Sequence, residues 1–170
     1  QKLRSLPSNS IDLIYIDPPF FSGRVYNQVW GDDNELRTFS DIWDGGMPSY
    51  LIWLNTRLWE MKRVLKSTGS IYVHLDWHAS HYVKTELDKI FGYECFLNEV
   101  IWGYDFGGRS KEMWPRKHDV LLWYKKSKDY TFNFDDIDRI PYKGNIHKYR
   151  GNQETKKDGK TPTDVWDLGI

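Results

Sequence analysis

Ile11-Asp12-Leu13-Ile14-Tyr15-Ile16-Asp17-Pro18-Pro19-Phe20 begins as an apolar run and ends in an acid, two prolines and a ring. The run Ile11–Ile16 is short, β-branched and aromatic, which favours a buried strand over a helix. Neither proline has an N–H for a strand ladder, so the chain must leave the sheet at Asp17. A carboxylate, rigid carbonyls and an aromatic face are then held at the carboxyl end of a strand. Open α/β sheets bind ligands at that edge. Taken alone, an Asp-Pro-Pro reads as readily as a turn that Asp17 caps.

Outward from this strand the chain alternates. A long acidic, Gly-containing loop runs to about Gly46. Pro48 suits a first helical turn, and Leu51, Leu54, Leu58, Met61 and Leu65 recur at helical spacing. A helix is predicted over about 48–66, stopping before Gly69. A strand at about 70–75 follows, then Asp76 at an N-cap position. A second helix is predicted over about 77–90, with Ala79, Val83, Leu87 and Ile90 on one face. Strands at about 96–102 and 119–124 flank a polar loop at 103–117. Helix-length crossovers make the first three strands parallel, and the fourth is expected antiparallel at the sheet edge. The fold class is therefore α/β.

A chain of 170 residues is long enough for one domain with a real core. Its one cysteine, Cys95, rules out an intramolecular disulfide, and the expected setting is intracellular, cytoplasmic. No apolar run approaches the length of a membrane span. A net charge of zero argues against a simple polyanion binder, but the charge is uneven. Residues 1–100 carry 10 Lys+Arg against 13 Asp+Glu, and residues 101–170 carry 14 against 11. The basic excess centres on 139–160, a segment that either tracks phosphates or is a solvated loop.

Asp17-Pro18-Pro19-Phe20 after a hydrophobic strand resembles the catalytic motif of the β-group DNA amino-methyltransferases, which methylate adenine N6 or cytosine N4. Arg63 to Asp76, Phe96 to Trp102 and Lys117 to Tyr124 are also similar to that group, with the flavour of type III restriction-modification methylation subunits. Pro162 to Trp166 looks like a later family segment. The resemblance implies part of a Rossmann-like methyltransferase sheet, S-adenosylmethionine as cofactor and double-stranded DNA as partner. A restriction subunit is a further partner it allows. Residues 1–127 would be the catalytic half of the domain and 128–170 the start of a target-recognition region. The family's glycine loop for the cofactor is not found. Phe106-Gly107-Gly108 superficially suggests it, but no helix pattern follows. The chain thus reads as a fragment, with the strand at Ile11–Ile16 presenting an open edge that a second copy or another chain, a rearranged tail or a missing segment would cover.

On this reading Asp17 and the Pro18 carbonyl each accept an amine N–H, and Phe20 stacks on an extruded base. The acid at 17 leans the substrate toward adenine, since N4-cytosine enzymes more often have Ser there. Asp76 is a second candidate on the cofactor side, and Trp114, Arg116 and His118 are candidates for DNA or the base pocket. His74, Asp76, His78 and His81 carry metal-ligand residue types, but a strand and a first helical turn need not converge them, and no metal is expected. The competing readings are a DNA-binding fragment without catalysis and, more remotely, a metal-dependent hydrolase.

Overall fold

Six residues of β-branched and aromatic type form the first strand, and the two prolines end it where the ladder must stop. The computed structural model describes residues 2–30, 35–141 and 159–167. In chain order the elements are α1 (Lys2–Ser5), β1 (Ile11–Ile16), β2 (Val25–Trp30), β3 (Glu35–Ser40), α2 (Gly46–Val64), β4 (Leu65–Leu75), α3 (Ser80–Phe91), β5 (Phe96–Gly103), β6 (His118–Lys125) and β7 (Val165–Asp167).

A five-stranded sheet has the order β1-β4-β6-β5-β7. β1 runs parallel to β4, and β5 parallel to β7. β6 is antiparallel to both of its neighbours, β4 and β5. The fourth predicted strand is therefore antiparallel as expected, but it lies inside the sheet rather than at its edge. The reason is the loop that precedes it. A helix-free connection folds β6 back onto β5, and β6 then has its apolar Val120, Leu122 and Tyr124 to bury against β4 and the helices. Two further corrections concern the segments read as loops. Residues 25–40 hold a two-stranded antiparallel hairpin, and Val165–Asp167 joins the sheet.

The helices α2 and α3 cover one face of the sheet. Tyr50, Leu54 and Leu58 from α2 and Val83, Leu87 and Ile90 from α3 meet Ile71, Val73 and Leu75 of β4. Both helices start and stop within a few residues of the predicted bounds, although α3 begins at Ser80 because a turn occupies residues 77–79. Gly69 lets β1 approach β4 at an irregularity in their pairing: a Cβ there would stand 2.8 Å from the Asp12 carbonyl. The opposite face is only partly covered. Tyr72 stacks on Trp123, and Phe132 leans on Trp123 from the later chain. Leu13 and Tyr15 remain exposed on β1, which pairs with β4 alone among the described residues. Of the basic run at 139–160, Lys143, Lys148, Arg150, Lys156 and Lys157 lie outside the described residues. Among the described residues no helix is long and apolar enough to cross a membrane.

Candidate active site

Parallel pairing of β1 with β4 sets Ile16 beside Val73, so the two strands end together. Asp17 thus emerges next to His74 and Asp76. Because β6 runs the other way, its beginning, His118 and Asp119, comes to the same end of the sheet. The end of β5 completes the corner with Trp102 and Tyr104.

His74 is the centre of this arrangement and is only 6% exposed. Its Nε2 lies 3.2 Å from Asp119 Oδ2, and its Nδ1 lies 3.1 Å from Tyr15 Oη and 3.7 Å from Asp17 Oδ1. The Tyr104 hydroxyl donates to Asp119 Oδ1 at 3.1 Å. Phe20 meets the His74 ring edge-on at 5.4 Å. Alternation along each strand explains the grouping. Tyr15, His74 and Asp119 share the open face, while Ile16, Leu75 and Val120 belong to the helix-covered one. Asp17 accepts no hydrogen bond among the described residues, and its side chain is 61% exposed. Burial at the strand end pushes its carboxyl above the usual aspartate value. His74 opposes that rise and Asp119 adds to it. Burial and the Asp119 carboxylate push Tyr104 up to about 12, so its hydroxyl stays a donor.

Behind the two prolines the chain is held by a residue the sequence did not single out. Asp41 is fully buried. Its Oδ1 accepts the Phe21 N–H at 3.1 Å and the Trp43 Nε1–H at 2.9 Å. Its Oδ2 accepts the Ser22 N–H at 2.6 Å and the Ser22 hydroxyl at 2.8 Å. The clamp holds Phe21 at φ +63°, a left-handed conformation uncommon for an aromatic residue. An acid just after an unassigned hairpin carries no sequence signal of its own.

The remaining candidates are placed as follows. Asp76 accepts from the His78 N–H at 2.9 Å and pairs with His78 Nδ1 at 2.7 Å, so both its oxygens are engaged. Arg116 stacks its guanidinium 3.8 Å over Trp77. Trp114 is 93% exposed. Both rim a cleft of about 550 Å³ between Asp76–His78 and the loop that carries Phe106 and Arg109. His118 is exposed at the start of β6, and it is Asp119, one residue on, that meets His74. The Phe106-Gly107-Gly108 turn is tied down by Lys117, whose ammonium donates to the Asp105, Phe106 and Gly107 carbonyls. It leads into β6 without a helix. His74 and His78 go to different partners, His81 is exposed, and no metal-ligand group forms among the described residues.

A family model described as DNA methylase matches residues 11–170. The chain belongs to the N6/N4 DNA methylase family. It is 33% identical over 167 residues to the type II methyltransferase M.HpaI of Haemophilus parainfluenzae, covering 98% of the chain and 47% of the relative. It is 27% identical over 176 residues to the DNA adenine methyltransferase YhdJ of Escherichia coli K12, covering 98% of the chain and 54% of the relative. The chain spans about half the length of the curated relatives it matches. In fold it is similar to the PvuII DNA methyltransferase (cytosine-N4-specific), with a TM-score of 0.56 at 15% identity, over 98% of this chain and 53% of that one. Methyltransferases of this family use S-adenosylmethionine. The α/β class, the family and its donor agree with the motif reading, and M.HpaI is named a type II rather than a type III methyltransferase.

Proposed function

We propose that these residues form the base-side half of a DNA adenine-N6 methyltransferase site, with Asp17 as the acceptor that orients the substrate amine. The observation that carries this is the state of Asp17. It stands at the carboxyl end of β1, open to solvent, with no donor among the described residues using its lone pairs. An adenine amino group shares its lone pair with the ring and is a poor nucleophile. A carboxylate and the Pro18 carbonyl, each accepting one N–H, let the nitrogen pyramidalise, so that its lone pair withdraws from the ring π system, localises on nitrogen and is aimed. Phe20, edge-on to His74 and partly buried against the core, is the ring that would stack on an extruded base. The name of YhdJ supports adenine over cytosine.

S-adenosylmethionine supplies a methyl group on a positively charged sulfur. The fit of this chain to it is one of charge: Asp17 and Asp76 end adjacent strands and are the carboxylates that would face the cation, Asp17 the freer of the two. Double-stranded DNA would lie across the 550 Å³ cleft, with Trp114 and Arg109 on its rim. Residues 1–127 are the catalytic half on this reading, and the chain from 128 begins target recognition. The setting is the cytoplasm of a prokaryote or a phage-infected cell. The open edge of β1 is the place for a second copy or another chain, and a restriction subunit is a further candidate partner.

The test is methyl incorporation into duplex DNA by the gene product that carries these residues, followed by nucleoside analysis. N6-methyladenine is expected, and Asp17→Ala is expected to lower kcat by about 10²–10³-fold. N4-methylcytosine would overturn the base assignment. An unchanged rate in the variant would overturn the role of Asp17.

A further inference from the structure

The methyl-transfer reading gives His74 no part beyond bracing Phe20, although it is buried at the centre of the corner. Its ring is wedged between two acids, with Phe20 and Trp102 each at 5.4 Å. A carboxylate only accepts, so an ionised Asp119, 3.2 Å from Nε2, fixes the proton of a neutral His74 on that nitrogen. Nδ1 then carries a lone pair, and the Tyr15 hydroxyl donates to it at 3.1 Å. Asp17 Oδ1 is 3.7 Å from the same nitrogen, beyond hydrogen-bond range. With neutral His74 no proton lies between them, and Asp17 keeps its lone pairs for a substrate. A proton on Nδ1 reverses this. A cationic N–H beside Oδ1 draws the carboxylate in and occupies the lone pair that an amine needs.

We propose that His74, its tautomer fixed by Asp119, is the positioning residue that decides whether Asp17 is available as an acceptor. Neutral His74 leaves Asp17 open, and protonated His74 closes it. The titratable groups that face the ring are Tyr15 and Asp17 from β1 and its end and Asp119 from β6. Tyr104, from the end of β5, stands behind Asp119. On the ring's own strand end, Asp76 is taken up by His78. The proposal rests on the reading of Asp17 as the amine acceptor.

The first test uses this chain without substrate, so its failure is distinct from failure of the methyl-transfer reading. The ring nitrogens of His74 and the carboxyl carbon of Asp17 are followed by NMR as pH changes. The neutral ring is expected to carry its proton on Nε2, and the Asp17 signal to move a second time at the midpoint of His74. His74→Gln is expected to abolish that second movement and keep the titration of Asp17 itself. A neutral ring protonated on Nδ1, or an Asp17 signal blind to the midpoint of His74, overturns the proposal on the unmutated chain alone. The second test is the pH profile of methylation by the gene product that carries these residues. His74→Gln is expected to spare KM and to remove one ionisation from the acid limb of kcat. An acid limb identical to that of the unmutated enzyme overturns it.

Discussion

Asp17 and Asp41 flank the same two prolines, and the fold treats them in opposite ways. Asp17 is mostly exposed and accepts nothing from the described residues. Asp41 is fully buried and accepts four hydrogen bonds. A carboxylate with every lone pair taken has nothing left for a substrate, so the filled acid holds the turn and the unfilled one is left for chemistry. The contrast also explains why the corner is rigid where the backbone turns and open where the side chain points. Asp41 ties Phe21 and Ser22 to Trp43, and Trp43 in turn packs on Tyr50 and Trp53 of α2.

Removing the filled acid gives the largest effect. Asp41→Ala leaves four donors without their acceptor and is expected to cost about 3 kcal/mol or more, seen as a lower denaturant midpoint. The same measurement on Asp17→Ala is expected to show no loss, and equal losses in the two variants would erase the contrast. Trp114 extends the unfilled side of the comparison. At 93% exposure its truncation is expected to leave the melting temperature alone. Trp114→Ala should weaken duplex DNA binding by the gene product that carries these residues by about tenfold, and unchanged affinity would remove Trp114 from the proposed interface. Glu86 extends the filled side with a smaller effect. Hydrogen bonds from Lys89 and then Asn55 hold its carboxyl below the usual glutamate value. The unfolded chain therefore binds that proton more readily than the folded one. The stability Glu86 contributes is present above its unfolded pKa and is lost as pH falls through its lower folded pKa. Glu86→Gln is expected to flatten that acid-side loss, by about 1 kcal/mol, in denaturant titrations at stepped pH.

Much of this was legible because it is local. Ile11–Ile16 and the following prolines announce a strand and its end, and the helical spacing of Leu51, Leu54 and Leu58 announces α2. What could not be read was adjacency. Nothing in Val120–Tyr124 says that β6 slots between β4 and β5, and without that order Asp119 has no reason to meet His74. The same holds for Asp41, whose donors on Phe21 and Ser22 are about twenty residues earlier and become neighbours only through the hairpin formed by β2 and β3. His74 was noticed for a metal pattern it does not form. The signal that finds its neighbours is strand alternation: once the register is known, Tyr15, His74 and Asp119 fall on one face.

The position of β1 has a consequence for the birth of the protein. Leu13 pairs with Ser70 and Ile16 with Val73, so the strand carrying the acid waits for nearly sixty residues of chain before it has a partner. At ordinary synthesis rates that interval is roughly 3–10 s. β4 in turn has only β1 and a future β6 to pair with. The antiparallel pair β5–β6 closes over a much shorter separation and, once it forms, presents a ready edge to β4. Within the five-stranded sheet β5–β6 thus has the shortest connection to close, while β1 and β7 each pair with a strand distant in the chain.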